Sequence, residues 1–256
     1  MLNNDLVKFI FLVMYCGGGV NLKKSKIISI LVVVFCAVFT LISFGISFSL
    51  PNSSNKPQDE LEQVETKSWS GTGFYGDPYL ITSVADLQTL ATNVNAGETY
   101  EGLYFRQTAD LNLSSISNWT PIGTSSSYCF SGIYDGFNHS ISNLTITDSS
   151  TTNVGLFGWL GSSDSIVVAV SNLKLINVSI TEYQYVGGIA GYAKNATIEN
   201  CSVTGKITGT SSSYVGGILG YQYSGVKIIR CKNSATLSVT SGRIGGIIGH
   251  MSAGSK

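Results

Sequence analysis

The chain has 256 residues, enough for one large domain or two small ones. Its formal net charge is zero and only 12% of its residues are charged, so it lacks the basic footprint of a nucleic-acid binder. With 43% apolar residues it is too hydrophobic for a disordered chain, and its abundant Gly, Ser, Thr and Asn suit short strands joined by tight turns.

Residues 1–21 read as a doubtful N-terminal extension. Cys16-Gly17-Gly18-Gly19 is what a purine-rich ribosome-binding sequence would encode, which places initiation at Val20 or Leu22. Lys23, Lys24 and Lys26 then precede an uncharged run from Ile27 to Leu50. A positive stretch, an apolar stretch and small residues such as Gly45, Ser47 and Ser49 form the order of a secretory signal. The run is also long enough to span a bilayer. Residues 22–50 are therefore a signal peptide or a signal-anchor, and either one puts the remainder outside the cytoplasm. Residues 51–68 are polar and charged and read as a linker.

Residues 69–125 form an N-terminal capping segment. Tyr79-Leu80-Ile81 predicts a short strand. Ser83 predicts an N-cap, and Val84, Leu87, Leu90, Ala91 and Val94 share one helical face that ends before Gly97. An apolar helix face at this position suits the open first layer of a stacked structure.

Residues 126–256 are repetitive. GLFGW begins at Gly155, GIAGY at Gly188, GILGY at Gly217 and GIIGH at Gly246, at spacings of 33, 29 and 29. Between them lies a second element carrying Asn143, Asn172, Asn200 and Arg230, at spacings of 29, 28 and 30. Such a period marks a solenoid. Apolar residues alternate within each unit and β-branched residues are frequent, so the coils should be strands stacked in parallel. The predicted fold is all-β: a right-handed parallel β-helix, or β-solenoid, behind a short capping helix. Its expected inward columns are Leu144, Leu173, Cys201 and Cys231, and Ile146, Leu175 and Val203, with Asn233 breaking the second. The fourth unit stops at MSAGSK before its expected strand, so the repeats should continue beyond Lys256 in the intact protein.

The four G-x-x-G units, and the GDPYLITSVADLQTLA and FSGIYDGFNHSISNLTI segments ahead of them, resemble the GLUG-motif repeats of bacterial secreted and surface proteins. The resemblance covers Trp69 to His250. It implies a β-solenoid of the kind found in adhesin-like proteins and in accessory regions of extracellular proteases, and it implies no catalytic residues.

Equivalent positions on successive coils stack, so Trp159, Tyr192, Tyr221 and His250 should form an aromatic ladder. It would either stiffen the turn or present rings to a sugar or protein ligand. Tyr183, Tyr185, Tyr214 and Tyr223 enrich the same side. Cys201 and Cys231 fall on adjacent coils and read as inward-facing thiols, with a disulfide as the second possibility. A two-carboxylate glycosidase needs its pair roughly 5–10 Å apart, and Asp110 with Asp135 is the one pair to consider. Both read more naturally as turn formers. There is no H-E-x-x-H, no P-loop and no C-x-x-C, and His139 and His250 are isolated.

The expected function is that of an exported surface or secreted module with an adhesin-like or spacer role, without catalysis, cofactor or metal. Its partners would be a host or cell-surface glycan or protein, and the membrane through the N-terminal segment, but not nucleic acid. The alternatives are a non-catalytic repeat region of a larger extracellular enzyme, such as an IgA-type metalloprotease, and a small polysaccharide lyase or hydrolase.

Overall fold

A strand of alternating side chains buries one set and exposes the other, and here that pattern is laid down coil upon coil. The computed structural model describes residues 69–147, 152–161, 167–210 and 213–252. The expected signal or anchor (22–50) and linker (51–68) lie outside the described residues. Among the described residues no helix is long and apolar enough to cross a membrane.

The described residues form a parallel β-solenoid of about six turns with four faces. The first face stacks Tyr79–Ile81, Tyr104–Gln107, Ile133–Asp135, Val168–Ser171, Ala196–Glu199 and Lys227–Ile229. The second stacks Leu111–Asn112, Ser140–Ser142 with Thr145–Ile146, Lys174–Glu182, Ser202–Gly209, and Lys232–Asn233 with Thr236–Val239. The third holds Asn153–Val154, Tyr185–Gly187, Ser213–Gly216 and Gly242–Gly245. The fourth holds Phe157–Leu160, Ala190–Ala193, Leu219–Gln222 and Ile248–Met251. Neighbouring strands on all four faces run parallel, with a bulge between Leu175 and Val178 on the second face.

Helix α1 (Val84–Asn95) is the expected capping helix. Leu87, Leu90, Ala91 and Val94 are buried beneath it. Ser83 is its N-cap, accepting from the Asp86 N–H at 3.2 Å. Asp86 completes the cap, because its Oδ2 accepts from Thr82 N, Thr82 Oγ1 and Ser83 Oγ. Asn95 fastens the far end to the coil by donating to Pro121 O and accepting from Gly123 N.

Tyr79, Phe105, Tyr134, Val170, Ile198 and Ile228 form the inward column of the first face. Beside it Gln107 is fully buried yet satisfied. Its amide nitrogen donates to Ala109 O and Ser140 O, and its oxygen accepts from Tyr134 OH at 3.0 Å. Burial pushes the Tyr134 phenol well up, keeping it a donor.

The columns of the second face differ from expectation. One is Leu111, Ile141, Leu175 and Val203, ending at Asn233, and the other is Ile146, Ile180, Ile207 and Leu237. Ile146 therefore stands under Ile180, not Leu175. Leu173, Cys201 and Cys231 do follow one another, tied by Ser202 N to Leu173 O and Lys232 N to Cys201 O. Leu144 is buried elsewhere, bonded through its carbonyl to Ser179 N. The coil that starts at Val168 turns two corners with a left-handed asparagine, Asn172 (φ 54°) and Asn177 (φ 57°). The two Ser-Asn-Leu words thus mark different corners.

The thiols are free: Cys201 is buried and Cys231 half-buried. On the last described coil the inward residues Ile228, Cys231, Leu237, Val239 and Ile247 are only partly covered.

The G-x-x-G motif joins the third face to the fourth. A Cβ on Gly220 would lie 2.5 Å from Val186 N and 2.7 Å from Gly191 O, and one on Gly191 would strike the backbone of Asn153 and Val154. The two sheets thus meet backbone to backbone, which only glycine permits. Gly246 fills the first motif position of the last described coil, and a Cβ there meets nothing within 4 Å. Gly220→Ala should cost about 1–3 kcal/mol by overpacking, whereas Gly246→Ala should leave denaturant unfolding within about 0.5 kcal/mol of the parent. Equal losses would show that the motif glycines act through chain flexibility rather than close approach.

Candidate functional site

The glycine contact brings two aromatic columns together. On the fourth face Trp159, Tyr192, Tyr221 and His250 are in register, as the sequence predicts. Their ring centroids lie 3.8, 5.3 and 5.0 Å apart in turn. On the third face Asn153, Tyr185, Tyr214 and Arg243 form a second column. Tyr185 stacks on Tyr214 at 5.7 Å, and the Arg243 guanidinium lies 5.4 Å over Tyr214.

The columns interlock. Tyr185 reaches Tyr221 at 4.6 Å, and Tyr214 reaches His250 at the same distance. Arg243 Nη1 lies 2.7 Å from His250 Nδ1. Guanidinium is a donor only, so this imidazole nitrogen accepts and the ring proton sits on Nε2. Ring faces are turned along the solenoid axis toward one another, and Tyr192 is only 9% exposed. The more open rings are Tyr183 and Tyr223, at 45% and 44%. Lys194 Nζ lies 5.8 Å over Tyr223. A sugar that stacks needs a free ring face, and the ladder presents chiefly edges. Burial pushes the Tyr192 hydroxyl up to about 12, with Tyr221 adding to the shift, and raises Tyr185 in the same way.

Two side-chain ladders run along the corners, and the asparagines that spacing groups together are divided between them. In one, Asn172 Nδ2 donates to Asp135 Oδ1, Asn200 Nδ2 to Asn172 Oδ1, and Arg230 Nε to Asn200 Oδ1. Arg230 also pairs with Glu199. Asn143 belongs to the other, donating to Asn112 Oδ1 and accepting from Asn177 Nδ2.

The two carboxylates considered for hydrolysis have separate structural partners. Asp110 accepts from Ser140 N at 2.7 Å and lies 3.3 Å from His139 Nδ1. The Ser140 N–H holds its carboxyl below the usual range. Asp135 takes Asn172, the Phe137 N–H and Arg106 at 3.4 Å. Among the described residues no group of three or more His, Cys, Asp or Glu could hold a metal ion. A cavity of about 370 Å³ between α1 and residues 116–120 is lined by Gln88, Thr92, Asn95, Asn118 and Trp119 among others, with no acid or base.

The stacked faces and their ladders make the described residues a parallel β-solenoid. The family model of the GLUG motif matches residues 182–208, so the chain carries that motif, and strand register repeats its geometry on the neighbouring coils. Halomucin of Haloquadratum walsbyi is 34% identical over 151 residues, which is 56% of this chain and 2% of halomucin. A crystal structure of a candidate immunoglobulin A1 protease from Bacteroides ovatus aligns with a TM-score of 0.55 at 22% identity. That likeness, which is one of fold, covers 74% of this chain and 66% of the other.

Stability should fall as pH rises from the ordinary phenol value of 10.0 to about 12, because the neutral Tyr192 is the form the folded state prefers. Tyr192→Phe keeps the stack and should flatten this decline, while Tyr192→Ala should lose about 3 kcal/mol at neutral pH. Thermal unfolding across pH checks both. At the thiols, hydrogen bonding to Cys201 draws Cys231 down, while the same bond and burial push Cys201 well up. Iodoacetamide on the folded chain should therefore label Cys231 at least tenfold faster than Cys201, as read by peptide mapping.

Proposed function

We propose that this chain is an exported, non-catalytic repeat scaffold that acts at the cell surface or beyond it by display and spacing, in the manner of an adhesin-like module. The observation that carries the reading is the commitment of reactive side chains to neighbouring coils. Asp110 serves Ser140 and His139, Asp135 serves an amide ladder and Arg106, and His250 is held by Arg243 and Tyr221. The names of the Haloquadratum and Bacteroides proteins, a mucin and an immunoglobulin protease, lend support by pointing outside the cell. The Bacteroides likeness favours a second reading, a non-catalytic repeat region within a larger extracellular enzyme.

Full-length chain carrying a C-terminal tag, made in a bacterial host, should be recovered in the medium or be digestible by protease added to intact cells. Tag confined to the cytoplasm would overturn export. Incubated with uronate-rich and neutral polysaccharides, the purified chain should release no reducing ends, and release would restore the lyase or hydrolase reading.

A further inference from the structure

The zero net charge conceals a separation along the chain. No Asp or Glu follows Glu199, whereas Lys206, Lys227, Arg230, Lys232 and Arg243 all do. Arg230 is engaged by Glu199 and Asn200, and Arg243 by Tyr214 and His250. Among the described residues the lysines of the second face have no such partners.

We propose that the outward side of the second face is a binding surface for an anionic polysaccharide, laid along the solenoid axis over Lys174, Lys206 and Lys232. The inference rests on the reading of the chain as a non-catalytic scaffold and names the polymer it would hold. Lys174, Ser202 and Lys232 form one outward column, and Lys206 stands between Ser179 and Thr236 in another. All three lysines are exposed, and none is in an ion pair among the described residues. Lysine ammonium is a hydrated point charge suited to exposed carboxylate or sulfate.

The ground between the lysines consists mainly of hydroxyls from Ser179, Thr181, Thr204, Thr208 and Ser238. Several are already ordered: Thr204 Oγ1 accepts from Asn177 N at 3.1 Å, and Thr208 and Ser238 share a bond at 3.0 Å. A surface whose groups are fixed beforehand loses less entropy when it binds. Lys174 and Lys232 are two coils apart, about 9.6 Å at the usual strand spacing. An extended chain of pyranose rings advances by about one ring per coil, so an anion on alternate sugars would meet both ammonium groups. Single-stranded nucleic acid is recognised by aromatic stacking platforms, and the strands Lys174–Glu182, Ser202–Gly209, Lys232–Asn233 and Thr236–Val239 contain no aromatic residue.

The test uses the full chain and immobilised polygalacturonate, with heparin in a parallel arm to separate carboxylate from sulfate. The chain should be retained by at least one polymer at low salt and released as salt rises. The combined Lys174→Gln, Lys206→Gln and Lys232→Gln variant should bind at least tenfold more weakly while keeping its melting temperature. Lys227→Gln on the first face should stay within twofold of the parent. Four results would overturn the proposal: no retention on either polymer, undiminished retention of the triple variant, an equal loss in Lys227→Gln, or tighter binding to single-stranded DNA. If retention is accompanied by newly released reducing ends, the binding face stands and the non-catalytic reading falls.

Discussion

Contact between two backbones, with no side chain between them, sets the shape of the coils that carry the G-x-x-G motif. At Gly191 and Gly220 the third and fourth faces approach so closely that a methyl group would overlap main-chain atoms of the preceding coil. Side chains on either side of that contact are forced into neighbouring columns, which is why Tyr185 and Tyr192, seven positions apart in sequence, belong to one aromatic zipper. Parallel, in-register pairing then copies the arrangement from coil to coil. The zipper is a consequence of the glycine contact, and its rings repay the closeness by covering one another.

The faces consequently have different characters. Rings and glycines consume the third and fourth, leaving little free ring surface. The second face is broad and turns hydroxyls and lysine stems outward over a continuous aliphatic column. The first begins under α1 with aromatic residues and a buried glutamine bonded three ways, then changes to Val and Ile. Large rings fill the space beneath the helix, and smaller branched residues suffice between the later coils.

Much of this was legible in the sequence. Ser83, the helix face, the parallel stacking and the ladder from Trp159 to His250 follow from periodicity and capping chemistry, and the structure places them accordingly. The register of the earlier coils was not, because Ser-Asn-Leu occurs at two different corners. Matching Asn143 to Asn172 implied a 29-residue step, while Ile141 pairs with Leu175, 34 residues on. The 33-residue interval between Gly155 and Gly188 pointed to the longer step. Glycines held by backbone contact keep register better than asparagines, which recur wherever a left-handed corner is needed. Asp86 as a capping carboxylate and Arg243 as the last member of the tyrosine column were also missed. The first lay inside a run read only for its apolar face, and the second breaks a column of aromatics with a residue of another chemistry.

The corner ladder running from Asp135 through Asn172 and Asn200 to Arg230 has a property of a different kind. Every amide in it donates toward Asp135 and accepts from the Arg230 side. A carboxylate has no proton to pass on, and a guanidinium has no lone pair to receive one. The chain of dipoles therefore has a starter and a stopper, and it reads in one direction only. A duplicated coil can enter between these two residues by supplying one more amide, which keeps the same direction of donation. Insertion of a coil between Asp135 and Arg230 thus preserves the ladder, whose polarity is written into its hydrogen bonds.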